Sequence, residues 1–269
     1  MLTQTITDQM GRTITLNNPP MRIVSLVPSQ TELLYQLGLI HEVVGQTLFC
    51  IHPDDMHQTK PRVGGTKKVK MEVIASLQPD LIIGNKEEND QADITQLMAQ
   101  YPVWMSDINT LNDALDMITG IGQLVGKPNE ANTLAQTIQQ SFNAFKVDVT
   151  KPKPALYLIW RNPWMAAGHS TFINEMMHRL GLSNLAIQQP SRYPELTNNQ
   201  IEELNPEVIL LSSEPYPFKE KHLAELQALC PQAKILLVDG ELFSWYGSRL
   251  LHTVAYFEQL LPQLTHEKC

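Results

Sequence analysis

A chain of 269 residues with 43% hydrophobic and 18% charged residues has room for one large domain or two lobes, each with its own apolar core. Its net charge of −8 argues against a nucleic-acid or anionic-membrane surface, and no run reaches the roughly 18 apolar residues of a membrane span. Three cysteines, Cys50, Cys230 and Cys269, form no closely spaced pair, which excludes zinc-knuckle and thioredoxin patterns and allows at most one disulfide. Met1 to Asn18 lacks the basic start and apolar stretch of a signal peptide, which leaves a cytoplasmic protein or one whose leader has been removed.

The first third alternates short β-branched runs with amphipathic segments, the pattern of a parallel sheet covered by helices. Ile23 to Val27 reads as a buried strand ended by Pro28, and Ser29-Gln30-Thr31-Glu32 has the form of a capping box. The helix it opens runs through Leu33, Leu34 and Leu37 to Gly38. Val43-Val44 is a short strand, Met71 to Leu77 a helix and Leu81 to Ile83 a strand. Gln91 to Gln100, Val103 to Met105 and Leu111 to Val125 complete the alternation. The basic cluster Lys67-Lys68 with Lys70 reads as a solvated loop.

From Pro128 to about Val147 the apolar residues Ala131, Leu134, Ile138, Phe142 and Phe145 fall in steps of three and four. About twenty residues at 1.5 Å each predict a rod of roughly 30 Å, the length of a small domain. Read as a connection, residues 127–149 separate an N-terminal α/β lobe (1–126) from a C-terminal one (150–269). The second lobe repeats the grammar, with strands at Ala155 to Ile159, Val208 to Leu211 and Ile235 to Val238. Helices are expected at Phe172 to Leu180, after the capping box Thr197-Asn198-Asn199-Gln200, at Leu223 to Leu229 and at Arg249 to Leu261. Ile74-Ala-Ser-Leu-Gln-Pro-Asp-Leu-Ile-Ile83 can be laid on Ile201-Glu-Glu-Leu-Asn-Pro-Glu-Val-Ile-Leu210, each a helix end, an amide–Pro–acid turn and a strand. This match places Gly84-Asn85 and Ser212-Ser213-Glu214 just beyond the carboxyl ends of strands, where open α/β sheets bind ligands. The predicted fold is thus α/β, two Rossmann-like lobes with parallel sheets joined by one backbone helix, with a ligand cleft between them.

Little covalent chemistry is visible. Gly168-His169-Ser170-Thr171-Phe172 lacks the second glycine of a nucleophile elbow and reads as a helix N-cap by Ser170 or Thr171. No phosphate loop or dinucleotide fingerprint is present, and Gly64-Gly65-Thr66-Lys67 is a turn. Cys50, His52 and His57 with Asp54 and Asp55 match no standard metal spacing. Aromatic side chains gather in the second lobe's loops: Trp160, Trp164, Tyr193, Tyr216, Phe218, Phe243, Trp245 and Tyr246, interleaved with Pro163, Pro194, Pro215 and Pro217. Flat, rigid side chains in stiffened loops suit a large, partly apolar ligand.

The segments Arg22-Ile-Val-Ser-Leu-Val-Pro-Ser-Gln-Thr-Glu32, Leu77-Gln-Pro-Asp-Leu-Ile-Ile83, Phe172-Ile-Asn-Glu-Met-Met-His-Arg-Leu-Gly181 and Leu204-Asn-Pro-Glu-Val-Ile-Leu210 resemble the periplasmic binding proteins of cobalamin and ferric-siderophore ABC importers. The resemblance runs from about Thr7 to Leu261 and is nearest to the cobalamin-binding branch. It implies lobes that move little on binding, because a helix holds them at a fixed distance. It also implies ligand contacts at Phe49, Tyr193 and Trp164 and a carboxylate at Glu241. Thr66 and Asn85 stand where the cobalamin binder has tryptophans, and Trp245 replaces an arginine. Docking to a permease dimer is implied for Glu72. In the second lobe Asn199 occupies the acidic position, so Glu202 or Glu203 would substitute.

The resemblance implies a monomeric, non-enzymatic, periplasmic solute-binding protein. Such a protein has no intrinsic cofactor and carries cobalamin or another metal chelate, of siderophore or haem type, as its small-molecule ligand. A bare zinc or manganese receptor using His52 and His57 is an alternative on the same fold. So are a soluble corrinoid binder without a transporter and an enzyme on a related scaffold.

Overall fold

The order of the elements matches the local signals closely, and the computed structural model describes residues 4–148 and 150–265. Cys269 lies outside the described residues. The chain divides into two compact units, the first built from 1–108, 112–140 and 246–249, the second from 109–111, 141–245 and 250–269.

In the first unit β1 (Gln4–Thr7) and β2 (Thr13–Leu16) form an antiparallel hairpin. Its polar composition hides a period-two alternation, in which Ile14 and Leu16 are buried and Thr13 and Thr15 exposed. The elements β3 (Ile23–Ser25), α1 (Pro28–Gln36), β4 (Val43–Gln46), α2 (Asp54–Thr59), α3 (Met71–Leu77), β5 (Leu81–Asn85), α4 (Gln91–Met98), β6 (Val103–Ser106) and α5 (Leu111–Leu124) come next. The sheet is all parallel in the order β4-β3-β5-β6. Val24, Leu26, Val63, Ile74, Ile82, Ile94 and Leu97 form one core on a face of this sheet. Each such side chain contributes roughly 1.5–3 kcal/mol by leaving water.

The expected capping box at Ser29 does not form. Pro28 occupies the first helical turn and Val27 is the N-cap, without a side-chain hydrogen bond, so Ser29 lies inside the helix. Glu32, its expected reciprocal partner, instead takes Arg249 in a two-pronged ion pair, with Arg249 Nε donating to Oε2 at 3.1 Å and Nη2 lying 2.8 Å from Oε1.

The helix α6 (Pro128–Ala144) starts in the first unit and its last residues belong to the second. It has 17 residues, hence a length of about 25 Å, and buries Ala131, Leu134, Ile138 and Phe142 along one stripe. Four of the five predicted stripe residues lie on it; the helix stops three residues earlier than expected, which leaves Phe145 just past its end.

The second unit contains β7 (Lys153–Trp160), β8 (Trp164–Ala166), α7 (Phe172–Arg179), β9 (Leu182–Asn184), β10 (Glu195–Leu196), α8 (Asn198–Leu204), β11 (Val208–Ser212), α9 (Glu220–Leu229), β12 (Lys234–Val238), α10 (Glu241–Ser244) and α11 (Leu250–Thr265). Its parallel core, β7-β11-β12, is extended by β9 alongside the start of β7 and by the antiparallel strands β8 and β10. The caps read from the sequence hold here. Thr171 Oγ1 accepts from Asn174 N–H at 3.1 Å, and Thr197 with Gln200 closes both halves of its capping box.

The duplicated segment has one backbone in both units. Gln78 (φ 46°, ψ 58°) and Asn205 (φ 45°, ψ 58°) each end a helix in the left-handed region shortly before a fully buried strand. An asparagine takes that conformation more readily than most L residues, and at Gln78 the turn imposes it on a side chain with less aptitude for it.

Candidate functional site

In the first unit the topological switch point lies between β3 and β5, and the chain fills it with its own amides. Gln30 Nε2 and Asn85 Nδ2 both donate to Ser106 Oγ, at 2.6 and 2.9 Å. Asn89 Nδ2 donates to the Thr66 carbonyl at 3.0 Å, and its Oδ1 accepts Asn85 N–H at 2.8 Å. Asn85 Oδ1 accepts Glu87 N–H and Glu88 N–H, so this buried side chain shapes the turn after β5. Residues 246–249 seat on the same edge. Tyr246 donates its phenolic hydrogen to Glu88 Oε1 at 2.5 Å, and burial together with the Glu88 charge pushes the Tyr246 hydroxyl well up. Gly247 comes so close to Ser29 that a Cβ would lie 2.6 Å from the Ser29 carbonyl oxygen, a contact only glycine permits.

The loop after β4 behaves differently. Gln46 Nε2 donates to the Cys50 carbonyl and Leu48 N–H to the Gly64 carbonyl, both at 2.8 Å, which turns the side chains between them outward. Gly64 has φ 106°, and a Cβ there would lie 2.6 Å from the Lys68 carbonyl oxygen. Leu48, Phe49 and Ile51 are 53%, 59% and 44% exposed. Three large apolar side chains side by side in water serve nothing in the core, the usual mark of a contact surface. Thr66 is half-buried beside them, and a Cβ on Gly65 would sit 3.3 Å from the Phe49 ring.

In the second unit the loop after β11 folds over the end of β7, where Tyr216 N–H donates to the Ile159 carbonyl at 3.3 Å. Trp160, 41% exposed, meets Tyr216 edge-on at 5.6 Å between centroids. Trp164 is a packing residue. It is buried in β8, stacks on Phe218 at 6.2 Å, carries Arg161 4.2 Å above its ring and donates Nε1–H to Asn198 Oδ1 at 2.9 Å. Tyr193 is half-buried in the segment before β10, next to Arg192, whose carbonyl accepts Gly168 N–H.

Past the carboxyl ends of β11 and β12, Glu214 Oε1 accepts Ser244 Oγ–H at 2.7 Å and Trp245 Nε1–H at 2.9 Å. Burial pushes the Glu214 carboxyl up, Glu241 and Asp239 add to this, and the two hydrogen bonds partly offset it. Glu241 is half-buried on the same turn, with its N–H given to Asp239 Oδ1 at 3.0 Å, and Trp245 is buried. Sequence reasoning placed Glu214 at this edge without a partner, because its 30-residue separation from Ser244 leaves no local pattern.

Phe49, Thr66 and Asn85 thus lie together at one edge of the first unit, and Glu241 and Trp245 at one edge of the second, while Trp164 belongs to a packed cluster. Leu48 and Ile51, not singled out from the sequence, stand exposed with Phe49. The Cys50 thiol is buried between Thr31 and Thr47, each hydroxyl 3.1 Å from the sulfur, and His57 Nδ1 meets the Cys50 carbonyl. Among the described residues no three His, Cys, Asp or Glu side chains converge as a metal would require. Nor is any helix among them long and apolar enough to cross a membrane. Glu72 on α3 and Glu202 and Glu203 on α8 are exposed to solvent, as is Asn199.

The chain is 26% identical over 271 residues to an ABC transporter substrate-binding lipoprotein of Bacillus subtilis, covering 93% of this chain and 82% of the relative. It is 26% identical over 250 residues to the vitamin B12-binding protein of Photorhabdus laumondii, covering 91% and 88%. A solved periplasmic haem-binding protein from Roseiflexus sp. RS-1 superposes with a TM-score of 0.77 at 23% identity, over 90% of this chain and 97% of the other. The family model for periplasmic binding proteins matches residues 23–229, and with so much of the chain inside it this protein belongs to that family.

Proposed function

We propose that the protein is the substrate-binding component of an ABC importer and carries a metal chelate of the corrinoid or haem class, engaged by the loops at the carboxyl edges of the sheets. The observation that carries this is the exposed apolar row Leu48, Phe49 and Ile51 at the end of β4. Such a row matches the flat apolar faces of tetrapyrrole-like ligands, and Trp160 offers a similar exposed ring on the second unit. Relatives named as vitamin B12-binding and as ABC substrate-binding proteins support the same class.

On this reading the protein works outside the cytoplasmic membrane as a monomer, catalyses nothing, and presents Glu72 with Glu202 or Glu203 to the arginines of a permease dimer. The bare-metal reading has less support, since His57 and Cys50 are turned to local partners. Calorimetric titration with cyanocobalamin, haemin, a ferric hydroxamate and zinc chloride tests the proposal. One-to-one binding of cyanocobalamin or haemin supports it, and binding of the ferric hydroxamate alone overturns the assignment to the corrinoid or haem class. Heat with zinc alone, or with none of the four, overturns it.

A further inference from the structure

The turn after β12 carries Glu241, Ser244 and Trp245 at the carboxyl edge of the second unit, and its anchor comes from another loop. Glu214 reaches across from the end of β11, and a single carboxylate oxygen holds both Ser244 Oγ–H and Trp245 Nε1–H. The Glu214 backbone is itself tied down. Ser212 Oγ donates to the Glu214 carbonyl at 2.5 Å, and Tyr157, buried in β7, donates to Ser212 Oγ at 3.1 Å. The chain Tyr157–Ser212–Glu214–Trp245 therefore runs from the core of the sheet to its edge.

A half-buried carboxylate among other acids is a costly way to fill space. Asp239 just after β12 and Glu241 on α10 both act against its charge, the buried hydroxyl of Tyr157 feels the same charge, and the α11 residue Tyr256 accepts Asp239 N–H. An apolar residue would pack there without that repulsion but could not accept two hydrogen bonds.

We propose that Glu214 is a positioning residue for ligand binding, one that fixes Ser244 and Trp245 and so holds the turn after β12 in place at the carboxyl edge of the second unit's sheet. This rests on the ligand-binding reading above. Ligands of open α/β sheets lie outside the carboxyl ends of the strands, which is where both loops end. A loosened turn would weaken contact with a chelate seated at that edge.

The test compares Glu214→Ala and Glu214→Gln with the wild type, all checked for folding by circular dichroism. Trp245 emission is isolated by subtracting the spectrum of Trp245→Phe. Without ligand, E214A should red-shift the Trp245 emission and E214Q should not, because the glutamine amide oxygen still accepts the indole hydrogen. With cyanocobalamin or haemin as probe, E214A should weaken binding about tenfold, a loss within the range of coupling between residues of one hydrogen-bond network, and E214Q less than about threefold. Unshifted Trp245 emission in E214A, or wild-type affinity in that variant, overturns the proposal. If neither probe binds the wild type, the ligand assignment fails, and the emission spectra still decide whether Glu214 positions Trp245.

Discussion

The strands β5 and β11 begin alike and end differently. Both come after a helix that closes on a left-handed amide residue, Gln78 or Asn205, and both are buried throughout. At its carboxyl end β5 delivers Asn85, whose amide is used up by Ser106 and the turn after it. At the equivalent place β11 delivers Ser212 and Glu214, which reach out to a distant turn. One end closes a crevice beside an exposed apolar loop, whereas the other supports a separate polar group. Two copies of a local motif need not make two copies of a site, because side-chain satisfaction at the strand end decides what remains available.

The comparison can be broken first at the packed residues. Trp164→Ala should cost about 3–5 kcal/mol of stability in urea unfolding, as expected for a large buried aromatic. An effect on ligand affinity with little loss of stability would return Trp164 to the binding site. Asn85→Ala removes one donor and one acceptor of the first unit's network and should cost about 2–3 kcal/mol, since Ser106 and two backbone N–H groups lose a partner. A melting curve matching the wild type would show that the network is dispensable.

Phe49→Ala sharpens the contrast in the opposite sense. The exposed ring should change stability by less than about 0.5 kcal/mol but weaken chelate binding by about 1–3 kcal/mol. Equal affinity in titrations of both proteins would remove the apolar row from the site. The smallest effect belongs to Glu214 and pH. Because burial raises its folded-state pKa, the group favours the folded state below the ordinary carboxylate value of 4.5, and that contribution is lost as pH rises through the raised value. Melting temperatures should therefore show Glu214→Gln gaining on the wild type as pH rises above 4.5 through the raised value, with no gain at lower pH. A pH-independent difference between the two would contradict this.

Much of the architecture was legible in the chain because its signals are local. Pro128 and Thr197 mark helix starts, Gly38 (φ 79°) and Gly181 (φ 77°) mark helix ends, and the stripe Ala131, Leu134, Ile138 and Phe142 is a periodicity anyone can count. What the local signals leave undecided shares a cause. Ser29 to Glu32 has the letters of a capping box, but Arg249, 217 residues away, claims Glu32. Trp164 and Phe49 are both ligand-contact candidates by the resemblance, and only packing separates the buried ring from the exposed one.

By itself, then, the sequence determined the succession of helices and strands, the repeated motif and the resemblance that points to a binding protein. The tertiary structure decided that residues 246–249 seat on the first unit, that Asn85 serves its own turn, and that Glu214 holds Trp245. Capping and periodicity act over a few residues and leave a trace in the order of letters. Burial and long-range hydrogen bonding depend on which surfaces meet, and that is settled only when the chain has folded.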